Sequence, residues 1–160
     1  MTRIGITGHT NLSADSAELV RKALVDALED YNDDDLIGVS CLARGADQLF
    51  AEEVLAAGGT LEVVLPSADY REAKVRPENR EGFDGLLVRA HMVRYMRHLT
   101  AGRRAYEDAN EAVLGGVDML FAVWDGQPSG GGGGTADAVR VATERGLPVN
   151  VIWPEGASRD

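Results

Sequence analysis

A regular alternation of two patterns constrains this chain more than anything else in it. Five short apolar runs, at residues 3–7, 36–40, 61–65, 119–124 and 148–153, are rich in Val and Ile and show little polar–apolar alternation. That is how strands covered on both faces read. Helical patterns lie between them. Residues 13–30 carry an apolar stripe through Leu19, Ala23, Leu24, Ala27 and Leu28. Residues 47–57 open on Asp47 and stop at Gly58-Gly59, and residues 135–145 stop at Gly146. Two further helices are expected over 80–99 and 103–114. Strand alternating with helix predicts an α/β fold. The expectation is a single Rossmann-like doubly wound domain over residues 1–154, with a mainly parallel five-stranded sheet and helices on both faces. Residues 66–102 are too long for a simple crossover and are expected to form a helical excursion. Residues 155–160 are expected to be a frayed tail.

In such a fold ligands bind beyond the C-terminal strand ends, at the switch in strand order. Three loops leaving those ends have unusual chemistry. Thr7-Gly8-His9-Thr10-Asn11 follows the first strand, and Cys41-Leu42-Ala43-Arg44-Gly45-Ala46-Asp47 follows the second. After Trp124-Asp125-Gly126 comes a glycine run at 130–134, closed by Thr135. Glycines leave backbone N–H groups uncovered, and the first turn of the helix that follows has unpaired N–H groups of its own. With the helix dipole they form an anion site suited to phosphate, with the Thr135 hydroxyl as N-cap or donor. A flexible surface linker is the alternative reading of five glycines.

Composition narrows the partners. The net charge is −10, which predicts a soluble protein that repels nucleic acid and anionic membranes. The single cysteine, Cys41, excludes an internal disulfide and suits a reducing, cytoplasmic compartment. Met1 runs almost directly into the first strand, leaving no room for a signal peptide, and no stretch is long enough to span a membrane. Charge is uneven along the chain. Residues 71–104 hold nine cations and four acids, so they carry +5 while the remainder carries −15. The segment reads either as a solvated helix face or as a surface for an anionic ligand or acidic partner. Leu86, Leu87, Val93, Met96 and Leu99 fit a subunit interface as well as a core.

Several motifs are missing. The first loop offers only Gly5 and Gly8 rather than G-x-G-x-x-G, and the second strand ends at Ser40 rather than an acid. A standard NAD site is therefore not expected. No lysine lies near Gly134 and Thr135, so P-loop ATP hydrolysis is not expected either. His91 and His98 stand seven apart on the expected 80–99 helix, which suits a surface pair better than a metal site. Neither metal nor cofactor is anticipated. Cys41 reads as a small buried hydrophobe, with His9 as the one histidine placed to act as its base.

The loops carry a resemblance to a known family. Ile4-Gly5-Ile6-Thr7-Gly8-His9-Thr10-Asn11-Leu12 resembles the first strand and loop of the YpsA-like members of the SLOG superfamily. The stretch 40–47 resembles the small-residue loop of its DNA-processing recombination mediators, and Gly133-Gly134-Thr135-Ala136-Asp137 resembles the phosphate loop of its LOG phosphoribohydrolases. Asn110 resembles an Asn found in the corresponding helix of several relatives. The resemblance covers nearly the whole chain. It implies a site for a nucleotide or nucleotide derivative, with sensing as one purpose, and a homo-oligomer. Phosphates would rest on Gly132, Gly133, Gly134 and Thr135, approached by Thr7, Gly8 and His9. Ala43, Arg44 and Gly45 would form the second wall, with Arg44 neutralising charge and Asp47 or Asp125 holding a ribose hydroxyl. The resemblance also implies two alternatives, a hydrolase cleaving the N-glycosidic bond of nucleoside monophosphates and a single-stranded DNA-binding protein. One departure bears on the hydrolase. Ala138 stands where LOG enzymes carry a glutamate, which leaves Asp125 and Asp137 as candidate acids, with Asp47 on another loop.

Overall fold

The structure is a computed structural model that describes residues 1–31, 35–128 and 134–160. The glycines at 130–133, including Gly132 and Gly133, lie outside the described residues. Each apolar run forms a strand: β1 (Thr2–Gly8), β2 (Leu36–Ser40), β3 (Thr60–Leu65), β5 (Met119–Val123) and β6 (Val149–Ile152). A further strand, β4 (Met92–Tyr95), makes the sheet six-stranded rather than five-stranded. All pairings are parallel and the strand order is β4-β3-β2-β1-β5-β6. The chain therefore winds outward from β1 in one direction through β4, then returns to place β5 on the other side of β1. That reversal opens the sheet's C-terminal edge between β1 and β5.

Helices α1 (Ala14–Leu28) and α2 (Ala46–Ala56) cover one face. Val20, Leu24, Leu28, Phe50 and Val54 pack there on Ile4, Ile6, Phe121 and Val123. The short α3 (Tyr70–Lys74) and α4 (Arg80–Arg89) extend that layer, with Tyr70, Phe83 and Leu86 on Leu61, Val63 and Leu65. On the opposite face, Ala109 and Val113 of α5 (Arg103–Gly115) meet Val39 and Val64, and Ala142 of α6 (Thr135–Glu144) meets Leu120. The Ser13 Oγ accepts the Ser16 N–H at 3.1 Å and caps α1.

Two expectations need correction. The helix expected over 80–99 stops at Arg89. The backbone turns extended at Ala90, and β4 then pairs with β3, Val64 opposite Arg94. This edge strand escapes the sequence pattern because all four of its residues are exposed, so neither a buried run nor alternation marks it. The same correction takes His91 and His98 off any helix. They flank β4, and His98 Nε2 lies 2.6 Å from Asp108 Oδ2. Of the residues assigned equally to interface or core, Leu86 is buried and Met96 and Leu87 pack against the core, whereas Val93 and Leu99 are exposed.

The tail is not frayed. The Asp160 N–H donates to Asn11 O at 2.6 Å, Arg159 Nε to Asn11 Oδ1 at 3.0 Å, and the Ser158 N–H to Ser16 Oγ at 2.7 Å. These partners lie more than 140 residues away in sequence, beyond the reach of local composition.

Candidate functional site

The strand-order reversal leaves a cleft of about 320 Å³ at the C-terminal ends of the strands. Its floor and first wall are Ile6, Thr7, Gly8, His9 and Thr10, where β1 ends. Gly8 is required by close approach. A Cβ there would stand 2.4 Å from the Ala46 Cβ and 2.9 Å from the Val123 Cβ.

The second wall is the β2–α2 loop, bent by Leu42 in the left-handed region at φ 55°. Ser40 fixes this bend. Its Oγ donates to Asp47 O at 3.1 Å and accepts the Leu42 N–H at 3.0 Å. Cys41, Ala43 and Asp47 thereby line the cleft. Gly45 sits behind them at φ 87°, where a Cβ would lie 2.6 Å from His9 O.

Asp47 is the one carboxylate among the described residues lining the cleft. It is 7% exposed, and burial pushes its pKa up to about 7, the Ala43 N–H at 3.4 Å opposing that only in part. Burial, with Asp47 beside it, also pushes the Cys41 thiol up, so Cys41 is a poor nucleophile. Burial raises the Tyr70 and Tyr106 hydroxyls too, keeping both neutral.

His9 is 7% exposed and its ring meets Trp153 edge to face at 5.6 Å. Its Nε2 accepts the Asp125 N–H at 3.0 Å, which requires neutral imidazole. Burial first, and then Arg159, lower its pKa, in agreement. Asp125 is spent on the same cluster. Burial would raise it, but the Gln127 N–H and the Arg159 guanidinium hold it below the usual carboxylate range.

The third wall is the start of α6. Its N-cap Gly134 offers no side chain to cap the first-turn N–H groups. Gly134, Thr135 and Ala136 line the cleft, facing Tyr106, Ala109 and Asn110 of α5.

Of the residues expected from sequence, the cleft brings together Thr7, Gly8, His9, Ala43, Asp47, Asn110, Gly134 and Thr135. Arg44 and Gly45 do not line it. The Arg44 Nε donates to Thr10 O at 3.3 Å on the loop's other side. Asp137 lies with Ala138 in a separate groove between α5 and α6. Gly132 and Gly133 lie outside the described residues. Sequence reasoning missed Tyr70, Tyr106, Trp124, Gln127 and Arg159 as lining residues. An aromatic just after β3 was the available signal for Tyr70. Nothing local marked Arg159. Among the described residues, no cluster of three or more His, Cys, Asp or Glu could hold a metal, and no helix is long and apolar enough to cross a membrane.

No protein-family model matches the sequence, and no curated protein matches it. Solved structures do. DNA processing protein A from Streptococcus pneumoniae aligns at TM-score 0.73 and 18% identity, over 98% of this chain and 52% of that one. This chain thus spans about half the length of the pneumococcal protein. The Helicobacter pylori protein of the same name, described for its single-stranded DNA binding mode, aligns at TM-score 0.67 and 15% identity, over 99% and 68%. The molybdenum cofactor carrier protein of Chlamydomonas reinhardtii aligns at 0.56 and 19%, over 94% and 74%. The expectation against nucleic acid, drawn from net charge, gains no support from such neighbours. Sheet order, the reversal at β1 and β5, and these likenesses give the chain a Rossmann-like α/β fold shared with these neighbours.

Proposed function

We propose that the cleft binds a nucleotide or nucleotide-derived phosphorylated ligand. One observation carries this reading: the α6 N-terminus, whose N-cap Gly134 has no side chain, opens into the same cleft as the β1 loop. Backbone N–H groups and the positive end of the helix dipole favour phosphate there. Gly134 and Thr135 hold the phosphate. Asp47 and Asn110 accept and donate hydrogen bonds to ribose or base, and Tyr106 supplies an apolar wall.

The variant Ala136→Asp tests this without endangering the fold, because a carboxylate in the first turn stabilises a helix. Nucleoside monophosphate binding, followed by calorimetry, should weaken at least about tenfold through repulsion and lost access to the N–H groups. Unchanged affinity at unchanged thermal stability refutes the phosphate assignment.

A second reading, hydrolysis of the N-glycosidic bond, is favoured by the raised pKa of Asp47. Such a group donates a proton near neutral pH. Ala138 is buried and Asp137 lies in another groove, so Asp47 is the acid this reading needs. Chromatography of adenosine monophosphate incubated with the protein separates the two readings. Free adenine released by the parent and absent with Asp47→Asn supports hydrolysis, and an intact nucleotide supports binding alone.

A further inference from the structure

Beside the cleft lies a second hollow of about 370 Å³. The two are lobes of one depression, since Thr10, Ala43, Tyr70 and Tyr106 line both. The two tyrosine rings meet edge to face, centroids 6.3 Å apart. Both volumes fall at the low end of ligand pockets, roughly 300–1,000 Å³, and joined they reach the middle of that range.

The charge of the second lobe is unlike that of the molecule. It is lined by three cations, Arg44, Lys74 and Arg76, and by no carboxylate. Outside the lobe Arg3 is paired with Glu62, Arg21 with Glu53 and Arg71 with Asp84, whereas Arg89, Arg94, Arg97 and Arg104 pair with no described carboxylate and line neither lobe. Arg44 bonds only a backbone oxygen, and the side chains of Lys74 and Arg76 make no hydrogen bond or ion pair with described residues. Cations left unpaired inside a concavity focus a positive potential on it. The first lobe has a different anion site, the α6 N-terminus, whose residues do not line the second.

We propose that the second lobe is a subsite for a second phosphate, so that the ligand is of dinucleotide type, with two phosphates set apart by a nucleoside. This rests on the nucleotide reading of the first lobe. The α6 N-terminus takes one phosphate, Arg44, Lys74 and Arg76 take the other, and Tyr106, backed by the buried Tyr70, offers ring surface to a base on the way.

The test compares two probes on the full chain, adenosine 5′-monophosphate and the 5′-phosphorylated dinucleotide pApA, by calorimetry. The dinucleotide should bind about tenfold tighter or better, the worth of one charge-assisted contact set. In Lys74→Gln/Arg76→Gln that advantage should vanish while monophosphate affinity stays the same. Both positions are exposed, so the fold should survive. Equal affinities in the parent overturn the proposal, as does a dinucleotide advantage that persists in the double variant. Dinucleotide binding lost in the double variant but untouched by Ala136→Asp keeps the second lobe as an anion site and overturns both the first-lobe reading and the two-phosphate ligand. No binding of either probe overturns both. A third probe, an eight-residue oligodeoxyadenylate, separates a small ligand from a strand. Affinity that keeps climbing beyond the dinucleotide overturns the dinucleotide assignment.

Discussion

Asp47→Asn should stabilise the protein at pH 8 and flatten its stability profile between pH 4 and 7. The carboxyl titrates at about 7 in the fold, raised by burial, against about 3.9 in an unfolded chain. Below pH 4 both states hold the proton and the group contributes no difference. Between those values the unfolded state releases its proton and the folded state keeps it, so stability falls as pH rises, by about 1.4 kcal/mol per pH unit. Above pH 7 the cost levels off at up to about 4 kcal/mol. Asparagine never ionises, and its carbonyl can still accept the Ala43 N–H. Urea denaturation at half-unit pH steps reads the difference directly. The variant should gain roughly 2–4 kcal/mol on the parent at pH 8 and little at pH 4. Parallel profiles across the whole range would mean that the cleft solvates this carboxylate as well as water does. A buried carboxylate lining a cleft at such a cost makes Asp47 the first residue to probe in any ligand assay.

Gly45→Ala should be the most damaging single-methyl change in the site loops. The residue sits at φ 87° and ψ −126°, outside the regions side chains tolerate. A Cβ would also lie 2.6 Å from His9 O and 3.0 Å from Thr10 Cα. Both are backbone atoms of the β1 loop, and His9 O is tied to the Ala46 N–H at 3.2 Å, so neither retreats cheaply. Strain and overpacking together should cost about 3 kcal/mol or more. Guanidinium denaturation should show the midpoint falling with the slope unchanged. A loss below about 0.5 kcal/mol, the level of an ordinary surface change, would show that the two loops are not held this close in solution. Gly45 was expected to touch a ligand. Its place in the structure is behind the cleft wall, where it lets two walls approach one another.

The sequence by itself determined much of this protein. Apolar runs at 36–40 and 119–124, and helices bounded by Ser13, Gly58 and Gly146, were legible because burial period and turn chemistry are local properties. So was the gathering of small residues at three strand ends, and eight of the expected contact residues do line one cleft. Tertiary structure decided the rest. Strand β4 was invisible because an edge strand loses the burial signature that marks its neighbours. Arg159 reaches the cleft through bonds to Asn11, 148 residues away, which no window on the sequence spans. Which way each side of a loop faces is also non-local. Arg44 and Ala43 are adjacent, yet Arg44 lines only the second lobe while Ala43 lines both. The acidity of Asp47 follows the same rule, since a carboxylate's proton affinity is set by what is packed around it and how much water is left.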